Sequence, residues 1–399
     1  MPSNRLLAII ATGFPGFQKL LTISIWILIW GEELAGAYSK EVAVAYFLSL
    51  ITSLGFGANI MKVAPRLRRR ESADLLAESA GSTLIMCTIV YAFYIVTYNV
   101  APSLKVDYPF AVFIFLLGIS FYQLLRNLYL SQKKYVKLVC ADVICAFCLC
   151  GPIFFFMDVQ RYLVFSSVLY LGLVISAVGF EARKLTIKIS SIFEITCLQY
   201  TLNTTISGGA VVLMPKVVSM VWGNQAAANV ALYISLLSVL MLPIRAYINF
   251  KIPDLSNVLH LYKDKAKQEV DSVRRNAILL ALVSACVASV SMLPVSYLSD
   301  QFSFFKQINV DLSIYLAVLF FVMSSALSAA DSAALFIIEK QKHSLISNAA
   351  YFVFFLIISL TADRLNAFNI VTYFYLLAIS SALRAAYLTR MTNIYYGEV

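Results

Sequence analysis

Residues 6–40 have the sequence LLAIIATGFPGFQKLLTISIWILIWGEELAGAYSK. Its apolar part is long enough to cross a bilayer, because a membrane-spanning helix needs about 20 mostly apolar residues. Pro15 and Lys19 lie inside the apolar part, and the sequence WGEE at 30–33 ends it. A similar segment begins the second half of the chain. We therefore interpret the rest of the chain as helices packed around two copies of one segment.

The composition places the chain in a membrane. Hydrophobic residues make up 61% of its 399 positions and charged residues 13%, against about 45–50% and about 25% in soluble domains. The apolar runs are long and lack the period-two alternation of strands. A helix satisfies its own backbone hydrogen bonds in hydrocarbon. We predict an all-α integral membrane protein with about 12 transmembrane helices.

We predict two pseudo-symmetric six-helix lobes around a central cavity, residues 1–188 and 189–399. The twelve predicted spans are 6–30, 42–61, 75–98, 109–130, 136–156, 162–181, 193–222, 226–250, 274–297, 312–338, 344–362 and 367–389.

Basic residues in the loops predict the orientation of the chain. One alternating set of loops contains clusters of Lys and Arg, such as 62–70, 133–137 and 251–275, while each loop of the other set contains one basic residue. Lys- and Arg-rich loops stay in the cytoplasm, so both termini are expected there. The net charge of +10 then reflects topology, and no aromatic-basic interleaving points to nucleic acid.

The two halves are predicted to form a repeat. Trp30-Gly31-Glu32-Glu33 ends the first span, and Trp222-Gly223-Asn224-Gln225 ends the seventh. An even number of spans separates the copies, so both halves insert with the same orientation. A parallel repeat of this kind is typical of transporters.

Lys19 is the first candidate site residue, because a charge near the centre of a span is costly unless it faces a cavity or a partner. Thr12, Pro15, Thr22 and Trp26 are related to it by steps of three and four residues, which predicts one polar helix face. We interpret this face, including Lys19 and Trp26, as a substrate-binding cavity wall. The alternative is a lysine paired with a carboxylate between helices.

Further candidates lie on other spans. Gln199, Asn203 and Ser207 form a polar stripe on the seventh span, and Lys216 follows toward its outer end. Lys216 either lines the cavity or extends to the interface. Three arginines lie near the cytoplasmic ends of spans four, eight and twelve, where we favour extension to the interface over lining the cavity. They are Arg126, Arg245 and Arg384. In either position they would attract an anionic substrate, and we count Arg126 and Arg245 among the substrate-binding candidates.

Acidic residues in the spans are fewer. Asp331, in the run SSALSAADSAAL, could couple transport to an ion gradient; the alternative is a structural pair with a nearby cation. Asp142 and Glu194 are expected to be interfacial.

The sequence does not predict an enzyme. It lacks the G-x-x-x-x-G-K-[ST] motif of nucleotide hydrolysis, and its two histidines, His260 and His343, are far apart in sequence. The seven cysteines lie in apolar spans, where we expect packing roles. We expect no cofactor and no metal.

The chain resembles a known family at several points. The Pro-bent first span ends in GEELAGAY at 31–38, similar to the family pattern L-G-x-x-x-[FY]-G-x-Y, and basic loops that begin with a proline follow spans two and eight. With twelve spans in two halves, these features resemble the polysaccharide transporter branch of the multidrug/oligosaccharidyl-lipid/polysaccharide (MOP) exporter superfamily. Within that branch the chain is most similar to Wzx-type O-antigen flippases.

The resemblance implies a flippase of the bacterial inner membrane. It would move undecaprenyl-pyrophosphate-linked O-antigen (polysaccharide) repeat units from the cytoplasmic to the periplasmic leaflet by alternating access, driven by an ion gradient. Expected partners are that lipid-linked oligosaccharide, the bilayer and other polysaccharide assembly proteins, with a monomeric transporter. The alternatives are a drug/cation antiporter of the same superfamily, which should display buried acids in an outer cavity, and a multi-span glycan polymerase.

Overall fold

The computed structural model describes residues 2–64, 67–100, 105–182, 195–248, 251, 255, 263–301, 311–338, 340–365 and 368–397. Within these residues the secondary structure is helical, with no strand. The chain forms two compact units, Met1–Ala228 and Asn229–Val399. The predicted lobe boundary at 188/189 stays a prediction based on the repeat.

Seven helices precede the first long stretch that lies outside the described residues. They are α1 (Pro2–Trp30), α2 (Glu32–Thr52), α3 (Leu54–Val63), α4 (Arg69–Val100), α5 (Pro109–Ser131), α6 (Tyr135–Cys150) and α7 (Val159–Ala182). A 3₁₀ turn, Gly151–Phe154, follows α6.

The second series begins with the longest helix and continues to the C-terminal end of the chain. It consists of α8 (Ile195–Leu240), α9 (Lys263–Gln301), α10 (Leu312–Leu327), α11 (Ala329–Ile337), α12 (Gln341–Leu365) and α13 (Ile370–Gly397).

The helices account for the predicted spans. Among the described residues, 11 helical stretches are long and apolar enough to cross a membrane, and one of them, Thr201–Leu240, has 40 residues. Gly223 interrupts that stretch with a non-helical backbone conformation, so it supplies two spans. The prediction of an all-α protein with about twelve membrane helices is confirmed.

Two glycines form equivalent breaks in the two halves. Gly31 has φ 85° and ψ 170°, and Gly223 has φ 86° and ψ 173°. Only glycine occupies this region of backbone space readily. The same conformation at both copies of the Trp-Gly sequence supports the predicted repeat in the backbone itself. We refer to Gly31 and Gly223 as the hinge glycines.

The first hinge corrects the prediction of a loop at 31–41. The Gly31 N–H donates to the Ile27 carbonyl at 3.0 Å, and the Gly31 carbonyl accepts from the Ala35 N–H at 3.1 Å. One helix therefore follows the other directly, and Lys40 lies in α2 rather than in a loop. A lone glycine can redirect the chain here because its own polar groups remain bonded.

Two other predicted spans are each divided into two helices. The second span begins at Glu32 and breaks at Ser53, between α2 and α3. The tenth span breaks at Ser328, between α10 and α11. Gly55 and Gly57 follow the first break within four residues, but the predicted span continued through them; no glycine or proline lies near Ser328.

Each unit is built around the same pair of spans. In the first unit, α5 packs along α7, and Phe115 and Tyr122 of α5 contact the ring of Tyr170. In the second unit, α10 packs along α13, with Phe321 against Phe374. These are the fourth and sixth spans of their halves.

A side chain ten residues after each hinge glycine binds the start of the fourth span. The fully buried Glu41 carboxylate accepts from the backbone N–H groups of Asp107 and Tyr108, at 3.0 and 3.4 Å. The fully buried Tyr233 hydroxyl accepts from the Asp311 N–H at 3.1 Å. In both units this bond satisfies an N–H group that no helical carbonyl reaches.

Helix α2 passes very close to the segment after the second hinge. A Cβ atom added to Gly36 would lie 1.8 Å from the carbonyl oxygen of Asn224, a distance that no side chain tolerates. The Asn224 side chain also donates to Glu33 at 2.8 Å and accepts from Ser219 at 2.7 Å. The first half of α8 is therefore packed into the first unit.

Replacing either hinge glycine should destabilise the protein. Gly31→Ala and Gly223→Ala place a side chain in a backbone region that costs of order 1–3 kcal/mol, and thermal unfolding in detergent should occur at lower temperature. Gly172→Ala is the matched control, because Gly172 is helical with no atom within 4 Å of the added Cβ. Equal behaviour of all three variants would contradict the hinge assignment.

Candidate functional site

Lys19 points toward α2 within the first unit. Its ammonium nitrogen lies 3.7 Å from the ring centroid of Tyr46, which is cation–π geometry. The side chain is half-buried. The structure therefore places this mid-span charge on the face of an aromatic ring of the neighbouring helix.

The predicted polar face of the first span is divided between two neighbours. Thr22 is buried and contacts the Cys150 sulfur at 3.6 Å, on the α6 side. Trp26 is fully buried, stacked on Tyr38 at 5.4 Å and edge-on to Tyr162 at 4.8 Å. Thr22 and Trp26 thus lie in the packed interior of this unit, while Lys19 faces α2. A substrate-binding role for Trp26 stays a prediction.

Arg126 is buried, which corrects the expectation that it extends to the interface. Only 5% of the residue is exposed, and its guanidinium donates to the Ala11 carbonyl of α1 at 2.6 Å. The same nitrogen lies 3.9 Å from a carboxylate oxygen of Asp142. Tyr122, one turn earlier on α5, donates to the other carboxylate oxygen of Asp142. Together Arg126, Asp142 and Tyr122 form a buried ion cluster.

Asp142 was expected to be interfacial, and that expectation is wrong. It is fully buried, and its Oδ2 atom has no hydrogen-bond partner in the described part of the chain. Helical spacing contained the signal, because Leu138, Cys145 and Leu149 lie on the same face of α6 and are buried as well. An acid on the buried face of an apolar helix needs a cation, and Arg126 supplies it.

Lys216 forms a second polar cluster in the first unit. It is 6% exposed, and its ammonium donates to the backbone carbonyl of Lys105 at 2.5 Å. The segment between Lys105 and α5 also contains Asp107, which forms an ion pair with Lys40 at 2.6 Å. Lys216 therefore fixes the segment before α5 and does not extend to open solvent.

In the second unit, Asp331 is part of a charge network. Arg274 of α9 donates to one carboxylate oxygen through two nitrogens, at 2.6 and 3.0 Å. Thr389 of α13 donates to the other oxygen at 2.7 Å. Asp331 is 1% exposed, so the structure shows the cation pair that the sequence left as an alternative. An additional ion-coupling role stays a prediction.

The other candidate residues lie outside these clusters or outside the part of the chain that the structure describes. Arg384 donates to the Ser328 hydroxyl at 2.5 Å and lies over the Tyr351 ring. Arg245 is exposed and Asn203 is half-buried. The side chain of Gln199 and the residue Glu194 lie outside the described part of the chain.

Chemically, these clusters can bind and neutralise charge. Within the described residues, no group of three or more His, Cys, Asp or Glu side chains is placed to hold a metal ion. The six described cysteines are free. The clusters therefore consist of lysine, arginine, carboxylate and tyrosine groups buried between helices.

Comparisons with known proteins identify the fold. No protein-family model matches the sequence, and no curated protein matches it. An inward-facing conformation of a multidrug resistance MATE family transporter of the MOP superfamily is similar, with a TM-score of 0.71 and 13% identity over 98% of each chain.

Two further solved structures share this fold. An outward-facing conformation of a multidrug resistance MATE family transporter of the MOP superfamily has a TM-score of 0.57 and 14% identity, over 99% of this chain and 94% of that one. A ligand complex of the MATE multidrug transporter DinF-BH has a TM-score of 0.65 and 14% identity, over 98% and 94%. The chain therefore has the fold of MATE transporters of the MOP superfamily. The narrower resemblance to O-antigen flippases stays a prediction.

Breaking the buried ion cluster should destabilise the first unit. Asp142→Asn leaves Arg126 without its counter-charge, and removal of one partner of a buried pair costs about 3–5 kcal/mol. The readout is the midpoint of thermal unfolding in detergent. Asp158→Asn is the control, because Asp158 is an exposed acid after α6 and its loss should change the midpoint little. If Asp142→Asn is as stable as the control, the pair contributes nothing measurable.

Proposed function

We propose that this protein is a multi-pass membrane transporter that works by alternating access. The observation that carries the proposal is the repeated hinge, since Gly31 and Gly223 give two similarly built halves. Solved structures with this fold include transporters in inward-facing and outward-facing conformations. We place the protein in a bacterial inner membrane as a monomer, with both termini in the cytoplasm.

For the substrate, the comparisons support a drug/cation antiporter better than an O-antigen flippase. The structures that share the fold include multidrug transporters, one of them in a ligand complex. In such an antiporter, we expect a buried acid that binds either the transported cation or a proton. Asp142 and Asp331 are both buried, and each already has an arginine nearby.

One observation in the first unit favours the lipid-linked oligosaccharide as the second candidate. Lys19, Arg126 and Lys216 lie at depth in this unit, and the buried acids near them are Asp142 and Glu41. Cations thus outnumber acids in this set, which suits an anion. The pyrophosphate of an undecaprenyl carrier would meet Lys19, and polar side chains such as Asn203 and Gln199 would contact sugars.

A vesicle assay separates the two candidates. Inside-out membrane vesicles receive either labelled undecaprenyl-pyrophosphate glycan or a fluorescent organic cation, and movement into the lumen is followed with and without the protein. Glycan movement alone supports the flippase, cation movement alone supports the antiporter, and glycan that lengthens without moving supports a polymerase. Movement of neither substrate would contradict both candidates.

Lys19→Ala tests the charge at the centre of the first span. If the substrate is anionic, its transport should fall at least about tenfold, because each 1.4 kcal/mol of lost interaction is a factor of ten; transport of a cation should not fall. Lys267→Ala is the control, because Lys267 is an exposed lysine of α9. If the Lys19→Ala protein moves the glycan at the wild-type rate, Lys19 does not contribute to transport of this substrate.

A further inference from the structure

The turn between α5 and α6 has a lysine in an unfavourable backbone conformation. Lys133 has φ 55°, and no other described non-glycine residue has a positive φ. The Lys134 N–H donates to the Tyr129 carbonyl at 2.8 Å, and the Lys133 N–H donates to the Leu130 carbonyl at 3.1 Å. This is the Schellman ending of a helix, in which glycine or asparagine is the favoured residue at the position of Lys133. The hydrogen bonds define this turn, and Lys133 occupies a position in it that a glycine would stabilise.

This turn forms one wall of a crevice. The other wall is Leu7 of α1, and the volume is about 260 Å³. The remaining lining residues are those of the turn and the first residues of α6, namely Lys133, Lys134, Tyr135, Val136 and Lys137. Three lysines therefore contribute to the lining of one small, open crevice.

The positive charge of the crevice is only partly balanced. Lys137 forms an ion pair with Glu181 at 2.8 Å. Across the residues that the structure describes, no carboxylate lies within ion-pair distance of Lys133 or Lys134. Among the described residues, no acid therefore neutralises these two ammonium groups, and lysine binds phosphate as a point charge.

An apolar surface continues from the crevice along α6. Val136, Val143 and Phe147 recur at helical spacing on one face of α6 and are exposed by 63%, 36% and 72%. In a membrane protein such a face contacts acyl chains. A molecule with a phosphate at one end and hydrocarbon at the other would meet both surfaces at once.

We propose that this crevice binds the phosphate headgroup of an anionic glycerophospholipid of the cytoplasmic leaflet. Lys133 and Lys134 contact the phosphodiester, and the acyl chains lie along α6. The cytoplasmic position follows from the basic-loop orientation, and the proposal does not depend on which substrate is transported. The orientation of the chain requires only positive charge in this loop. It does not require a lysine with a positive φ or a crevice against α1, and these two features support a binding site.

The first test measures lipid binding to the full-length protein. Purified protein in neutral detergent is titrated with phosphatidylglycerol or phosphatidylcholine, and bound lipid is counted by native mass spectrometry. Phosphatidylglycerol should bind about tenfold more tightly, in line with the attraction of each basic residue to anionic lipid. Equal binding of the two lipids would overturn the proposal.

Charge-matched variants locate the site. Lys133→Gln with Lys134→Gln removes two charges from the crevice and should weaken phosphatidylglycerol binding about tenfold. Arg68→Gln with Arg70→Gln removes two charges from exposed positions at the start of α4 and should leave binding unchanged. An equal loss in both variants would show a general charge effect and overturn the site.

Lys133→Gly separates binding from folding. Glycine suits the backbone conformation at this position, so the variant should unfold at a higher temperature than wild type and bind phosphatidylglycerol more weakly. Wild-type binding by Lys133→Gly would remove Lys133 from the site. Two competitors test the source of the phosphate: displacement by millimolar inorganic phosphate, or tighter binding of undecaprenyl phosphate, would overturn the assignment to a glycerophospholipid.

Discussion

The backbone of a chain in hydrocarbon must satisfy its own hydrogen bonds, and the rest of this structure depends on that constraint. Helices meet it along their length, so each change of direction requires a special arrangement. At the first hinge, one glycine both ends a helix and begins the next, with its N–H and its carbonyl bonded. At the start of the fourth span of each half, a buried side chain from the second span accepts an otherwise unbonded N–H.

Charge follows the same constraint, because a buried charge without a partner is costly. In the first unit Arg126 and Asp142 share a cluster with a tyrosine, while Lys19 lies on an aromatic ring. In the second unit Asp331 is bonded by arginine and threonine. Each unit therefore keeps ionisable groups inside the membrane region by pairing them within its own helices.

Hydrophobicity and charge distribution were sufficient to predict the class of the fold. Long apolar runs predicted the helices, and the recurring Trp-Gly sequence located both hinges. The helix break at Ser328 could not be predicted, because serine is compatible with a continuing helix and no glycine or proline is nearby, whereas Gly55 and Gly57 were a weak signal for the break at Ser53. The partners of Arg126 could not be predicted either, since a sequence does not state which helices are neighbours. The burial of Asp142 could have been predicted from its helical spacing with the apolar residues Leu138, Cys145 and Leu149, although we expected an interfacial residue.

Glu41 and Tyr233 each lie ten residues after a hinge glycine, and each accepts a backbone N–H at the start of a fourth span. Glu41 has a carboxyl group and Tyr233 a phenol. A carboxyl group can bind or release a proton near neutral pH, whereas a phenol keeps its proton there. The two halves thus share the position of this hydrogen bond, but its acceptor is an acid in one half and a phenol in the other. The anchor of the first half can therefore change its charge by binding or releasing a proton, whereas its counterpart in the second half stays neutral near neutral pH.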